Sequence, residues 1–518
     1  MSPPAADPIG DEILGLYPLR DFAVTTGAHA GAALQRQAAW YFRDERIAVP
    51  RPDVPQATCT RGVRVDRDLR DWAARPPQGN TWPPLVWLPS PATLRDAQCS
   101  ADASSVTADA AATPLRLAPK IAMNRAWFDA TSAAFFAARA CRLHGTRERD
   151  AFVARTFWRE EFRLGPTPPP AATLAFPGDP GASLRHWMRA LPHGGAQAPY
   201  AAETLWRRDD VRDWRGLPVL ALVINGAQGD DDEAHGGHFA IATGRIAADG
   251  GIGDWLVNNF YSLDVESEKG ILPAPVRLAD YQGDLNAGQS WYRPSYAIVA
   301  VLTDERVPLR VQDALHRVYL QFWRHQLAYY HPTTNCTSIS VDTLRALGLR
   351  IAPCGPTHGV LPWLGFPALV AHARSLAKAK LAFDYLTVER TRLLPALAAE
   401  AALASLWALA HGDLRGEGDL GRSLAQDIVG LAWLRLPQFP SSRAWGDAPA
   451  VSIAEYRSRA PRDPAQAQVI PLPPRAFPDA LRDDDLRPPP RHPSDVAAAA
   501  WGALTLAAVA GLVSWRAS

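Results

Sequence analysis

The sequence is poor in cysteine and in lysine and has no excess charge of either sign, and each shortage removes a class of reading. Its five cysteines, Cys59, Cys99, Cys141, Cys336 and Cys354, are odd in number, far apart and never form C-x-x-C. That spacing encodes neither a disulfide framework nor a thiolate zinc site, and it leaves at least one thiol free. Lysine occurs only at Lys120, Lys269, Lys378 and Lys380. With the richness in alanine and proline, this reads as a compositional habit of the genome rather than a functional signal. Lys and Arg total 54 against 53 for Asp and Glu, a formal charge of +1. The whole chain therefore exerts no attraction on nucleic acid or an anionic membrane, and no nucleic-acid partner is expected. The first residues, MSPPAADPIGDEILGLYPLR, lack the basic start and apolar run of a secretory signal. No H-E-x-x-H is present, and GQSWYRPS and GEGDLG lack the strand-to-helix context of a phosphate loop, so neither a metal nor another cofactor is expected.

What the chain does have is length, proline and texture. With 518 residues it can hold two to four domains, and 47 prolines, about 9% where about 5% is usual, announce long connectors. Residues 1–170 read as an irregular, helix-containing N-terminal region, with apolar residues at helical spacing in AWFDATSAAFFAARACRLHGTRERDAFVARTFWREEF. The turn-rich GPTPPPAATLAFPGDPG marks a boundary. Between 181 and 370, LPVLALVIN, HFAIATGRI, DWLVNNFYSL and SYAIVAVLTD are four short β-rich runs. They are followed by the helical stripe of LRVQDALHRVYLQFWRHQLAYY and by a second helix, NCTSISVDTLRALGL. Strands followed by helices predict an α+β domain. Residues 371–436, including SLAQDIVGLAWLRL, read as a helical extension, with Pro395 and Glu400 arguing for packed rather than spanning helices. Residues 437–494 read as a Pro-rich linker.

The last apolar run, VAAAAWGALTLAAVAGLVSW over 496–515, is 20 residues without a charge, about what an α-helix needs to cross a ~30 Å hydrocarbon core. The expectation is a single C-terminal transmembrane helix. Arg482, Arg487 and Arg491 before it, against Arg516 after it, favour a cytoplasmic body anchored to the membrane.

The stretch YYHPTTNCTSIS carries the chemistry. A thiol attacks as thiolate and needs a helix N-terminus, a histidine, or both to form one near neutral pH. Thr334 or Asn335 is a good N-cap, which places Cys336 in the first helical turn, where backbone N–H groups and the helix dipole favour an anion. The same donors suit the oxyanion of an acyl intermediate. The bland alternative is a buried cysteine serving as a small hydrophobe. His238 opens a strand after the acidic loop GDDDEAHGG, so its ring lies at a sheet end, and Gly236 and Gly237 leave room for a substrate backbone. His325 and His331 lie closer to Cys336 in sequence and are alternative bases. A metal site built from His235, His238 and residues 230–233 has no helical spacing behind it.

The strand-borne histidine of GGHFAIATGRI, followed by NCTSIS opening a later helix, resembles the circularly permuted papain-like thiol hydrolases and acyltransferases. These include the NlpC-type and lecithin–retinol acyltransferase relatives, and the closest in look is the N-terminal domain of the Lnb-type lipoprotein N-acyltransferases. The Asn335-Cys336 pair and His238 match the pattern, which covers about 150 residues from Leu217 to Pro367. The resemblance implies a permuted papain-like core and a Cys–His mechanism. It also implies a third residue from DWLVNNFYSL that fixes the imidazole tautomer. Asn258 and Asn259 point to opposite faces of that strand, so one can serve and the other cannot; Asn259 is the candidate, and Tyr261, on its face, is a candidate donor. The expected function is a membrane-tethered cysteine hydrolase or acyltransferase acting on an amide or ester of a lipidated, cell-wall or protein substrate. The alternative is a non-catalytic, membrane-anchored scaffold on the same core.

Overall fold

A computed structural model describes residues 13–75, 79–121, 128–190, 199–225, 237–263, 272–440, 469–470 and 476–481. Two runs set the architecture. Pro218–Asn225 and Ser295–Leu302 are buried at every position, as a strand covered on both faces must be. They are neighbours in a ten-stranded sheet. Its order is Ala201–Arg207, Ile428–Leu436, Ser295–Leu302, Pro218–Asn225, His238–Arg245, Leu256–Asn258, Pro275–Arg277, Val86–Trp87, Arg46–Pro50 and Phe22–Thr26. Every pairing is antiparallel except that of Pro275–Arg277 with Val86–Trp87.

A second body of strands closes on itself. Cys141–Arg147, Phe152–Arg159, Ala111–Leu117, Ser105–Ala108 and Ala92–Cys99 form a barrel. The barrel packs against the helix Leu278–Gly283. The approach is close enough that a Cβ at Gly283 would meet the Phe157 carbonyl. Helices Arg306–Trp323, Cys336–Ala346 and Pro395–Ala410 pack on the central strands. The first buries Val311, Leu315, Val318 and Phe322, which recur at helical spacing.

The structure departs from the sequence reading in three places. Residues 1–170 are not irregular: they supply three strands of the large sheet and the whole barrel, and the long helical run read from Ala126 onward contains one short helix, Ala130–Ala137, before a β-hairpin. The extension over 371–436 ends in a strand, because Ile428–Leu436 inserts between Ala201–Arg207 and Ser295–Leu302. IVGLAWLRL is apolar at nearly every position, so periodicity cannot separate strand from helix there. The missing Cβ at Gly430 admits the Trp214 ring, which any side chain there would strike. The pieces of the Pro-rich stretch that fall within the described residues also lie against the body. Val469–Ile470 pairs with Lys120–Ile121, and Phe477 stacks on Tyr41.

The third departure concerns the membrane. Among the described residues no helix is long and apolar enough to cross one. Arg306–Trp323 has 18 residues but carries Arg306, Arg310, Asp313 and Arg317, while the apolar Pro395–Ala410 has only 16. The C-terminal transmembrane helix over 496–515 is therefore withdrawn from the fold, together with the membrane-anchored localisation and the cytoplasmic body inferred from it. That segment lies outside the described residues, and its apolar character rests on alanine at eight of 20 positions, a side chain that brings little hydrophobic area. The fold is a mixed α/β arrangement of sheet, barrel and helices.

Candidate functional site

The site begins with a helix cap. Asn335 is extended, and its Oδ1 accepts the N–H groups of Thr337 and Ser338, each at 2.9 Å. Ser338 Oγ returns the favour by accepting the Asn335 N–H at 2.8 Å, completing a capping box. The amide nitrogen of Asn335 donates to the His331 carbonyl at 2.7 Å. Both ends of the side chain are thus spent on geometry, and Asn335 acts by placing Cys336 as the first residue of the helix Cys336–Ala346. With Thr337 and Ser338 capped, the N–H left at this terminus is that of Cys336 itself, which has no protein partner among the described residues. Donor and helix dipole both favour an anion there.

The cysteine helix packs on the strand His238–Arg245, whose first residue carries the base. The His238 ring nitrogen Nε2 lies 2.7 Å from Asn259 Oδ1. An amide oxygen only accepts, so the network assigns the hydrogen to Nε2 and leaves Nδ1 as the acceptor. The Cys336 thiol lies within the electrostatic reach of His238 and the Phe239 N–H, and 4.0 Å from Thr337 Oγ1. Burial alone pushes the Cys336 thiol up, but His238, with the Phe239 N–H, more than offsets it and brings the thiol from an ordinary value near 9 down to about 7. Cys336 and His238 retain 6% and 8% of their exposure, so the pair is enclosed without being sealed.

The two asparagines part company as a strand's period of two demands. Asn258 faces the helix Arg306–Trp323 and exchanges a pair of amide hydrogen bonds with Gln312, at 2.8 and 2.9 Å. Gln312 Oε1 also accepts from Thr243 at 2.8 Å, and its Nε2 lies 2.6 Å from His316 Nε2. Asn259 faces His238, and its own carbonyl accepts the Tyr319 hydroxyl at 2.9 Å. The strand end is therefore clamped on one side so that its next residue is presented on the other. Tyr261 lies face to face on the His238 ring, with centroids 4.7 Å apart and planes 7° from parallel, and its hydroxyl accepts from Gln289 at 2.5 Å. Tyr261 thus supports the imidazole.

One residue was absent from the sequence reading. Tyr281, buried on the helix Leu278–Gly283, reaches the site from the barrel side, and its hydroxyl donates to Asn225 Oδ1 at 2.5 Å. Burial first, then the neighbouring charges of Tyr261 and Cys336, hold that phenol well above its usual range. Asn225 pairs with His238 in the sheet register and donates to Ser295 at 2.6 Å. The signal that could have found this network is the lone polar residue ending PVLALVIN: an asparagine closing an all-buried strand needs partners.

The other candidates fall elsewhere. His325 bonds Tyr41 at 2.8 Å, and His331 bonds Tyr385 at 2.9 Å, facing the helix Leu376–Thr387. His235 and residues 230–233 lie outside the described residues, among which no group of three His, Cys, Asp or Glu is arranged to hold a metal ion. The structure therefore brings together Cys336, His238, Asn259 and Tyr261, and uses Asn335 as the cap beneath them. No protein-family model, curated protein or solved structure matches the chain.

Proposed function

We propose that the protein is a cysteine hydrolase or acyltransferase that cleaves an amide or ester by a Cys–His mechanism. The observation that carries this reading is geometric: the Asn259–His238 hydrogen bond on a strand that packs against the capped helix opening with Cys336, and the charge of His238 favours the thiolate there. His238 Nδ1 takes the thiol proton as Cys336 Sγ attacks the carbonyl carbon, while Asn259 steadies the imidazolium through Nε2–H. The oxyanion that forms faces the Cys336 N–H. Collapse to a thioester expels the amine or alcohol, which receives the proton from His238. A second nucleophile, water in hydrolysis or an amine or hydroxyl in transfer, gives its proton to His238 and attacks the thioester, releasing the thiol. The resemblance to permuted papain-like thiol enzymes supports the same reaction class, with lipidated peptides, cell-wall peptides and proteins as the substrates to screen.

The test is intact-mass spectrometry after incubation with a p-nitrophenyl acyl ester, alongside iodoacetamide labelling at neutral pH. The expected result is one acyl adduct on Cys336, missing in Cys336→Ala, and selective alkylation that weakens in His238→Ala. Equal labelling of Cys59, Cys354 and Cys336, unchanged by His238→Ala, would overturn it and leave a binding protein.

A further inference from the structure

We propose that the helical hairpin Leu361–Thr387 docks on the surface of an anionic lipid bilayer, as an interfacial contact and not a span. The inference is independent of the thiol chemistry. Its first helix, Leu361–Ala373, reads LPWLGFPALVAHA, apolar on all sides, yet only Pro362 and Phe366 are buried. A helix apolar all round belongs in a core or in lipid. At 13 residues this one is too short to cross a bilayer, and that length fits an interfacial segment. The hairpin has a small core of its own, in which Trp363 and Phe366 pack on Ala379 and Phe383. The outward side chains are Val360, Leu361, Leu364, Leu376 and Leu381, exposed by 68, 69, 67, 54 and 39%. Among the described residues, only Phe176 and Leu414 are comparably exposed large apolar side chains elsewhere. Such a concentration marks an interaction surface.

Charge names the occupant. Between Asp342 and Asp384 the chain has no acidic residue, while Arg374, Lys378 and Lys380 sit on the hairpin, two of them being half of the molecule's lysines. Lys380 is bound to Asp384, but Arg374 and Lys378 are exposed and form no ion pair among the described residues. Exposed aliphatic side chains flanked by unpaired cations suit an anionic headgroup layer, the leucines entering the acyl boundary and the cations meeting phosphates. A protein partner would need acidic groups around an apolar pocket; a bilayer offers both without a defined shape. The hairpin is fastened to the turn that precedes Cys336: Asp384 accepts the Tyr330 hydroxyl at 2.7 Å, and Tyr385 bonds His331, whose carbonyl holds Asn335. Docking would set the turn before Cys336 close to the lipid surface.

The test is hydrogen exchange of the full chain with vesicles of phosphatidylcholine alone or mixed with phosphatidylglycerol, read on peptides covering 357–383. Anionic vesicles should slow exchange there by about tenfold, neutral ones much less. The substitution pair Leu361→Glu and Leu364→Glu, both on exposed positions, should abolish the protection, and Lys378→Glu should weaken it. Cys336→Ala should leave it intact even where catalysis is lost. Absence of vesicle-induced protection in 357–383, its persistence in the double glutamate variant, or protection that instead rises with protein concentration without vesicles would overturn the proposal, the last pointing to a second copy of the chain.

Discussion

Two histidines in this molecule sit on strands and bond a side-chain oxygen through one ring nitrogen, yet their surroundings give them opposite roles. His144, on a barrel strand, bonds Asp280 at 2.8 Å, and Asp280 also accepts from Thr156 and Arg277, each at 2.7 Å. His238 bonds the neutral amide of Asn259 at 2.7 Å and faces a thiol. His144 is sealed at zero exposure, and burial first, then the Arg277 charge, holds its ring below the usual histidine range despite Asp280. Burial opposes the Asp280 carboxylate too, but Arg277, His144 and Thr156 hold it far below the usual range. A histidine–carboxylate pair is thus used here as a fastener between barrel and sheet, whereas the weaker histidine–amide pair accompanies the nucleophile. What separates the two is a reactive partner and an opening, not the strength of the hydrogen bond.

That contrast can be broken or sharpened by substitution. The largest effect belongs to Cys336→Ala, which should lower acyl-ester turnover by at least about 10⁴-fold while leaving the unfolding midpoint in place. Next is Asp280→Asn: leaving Arg277 buried without its partner should cost about 3–5 kcal/mol in urea unfolding, with no change in the pH midpoint of Cys336 alkylation. If that midpoint moves, the two clusters are coupled and the contrast fails. His238→Ala does the reverse. It removes what offsets burial at the thiol, so the alkylation midpoint should climb from about 7 to above 9, and the rate at pH 7 should fall by about fifty-fold or more. Asn335→Ala should cost about 1 kcal/mol of stability through loss of the cap.

The smallest effect is a pH slope. His144 and His316 are both held below the ordinary histidine value by burial, His316 at about 3. Both are therefore neutral in the fold, while the unfolded chain takes up their protons below about pH 6.5, so stability is greatest above that value and declines as pH falls through it. Each group contributes a slope of up to about 1.4 kcal/mol per pH unit. Urea midpoints at pH 7.5 and 5.5 measure it, and His316→Gln, which still offers Gln312 an acceptor, should flatten the decline.

What was legible in the sequence was local. The Asn335 cap, the strand opening at His238 and the opposite facing of Asn258 and Asn259 follow from helix-end chemistry and from a period of two, both expressed within a few residues. What was hidden depends on distant chain. Nothing near Tyr281 announces that its hydroxyl meets Asn225, 56 residues earlier. Nothing in IVGLAWLRL tells that it joins a sheet, since an all-apolar run fits a buried strand or a buried helix equally, and Pro218–Asn225 was readable only because turn residues bound it. The hairpin Leu361–Thr387 is a third case: its apolar composition suggests burial, and its exposure appears only when the rest of the molecule is in place.

The strand Ile428–Leu436 also sets a schedule for synthesis. Ser295–Leu302 leaves the ribosome with one edge satisfied by Pro218–Asn225 and the other open, and the residues that close it follow more than 120 positions later. At roughly 5–20 residues per second the edge stands bare for many seconds, and an unpaired, uniformly apolar strand edge is where chains join wrongly. The helices made in the interval, Arg306–Trp323, Cys336–Ala346 and Pro395–Ala410, pack on these strands. They are placed to shield the nascent sheet, and a ribosome halted before residue 428 would release a chain bearing the thiol and its base but prone to aggregate.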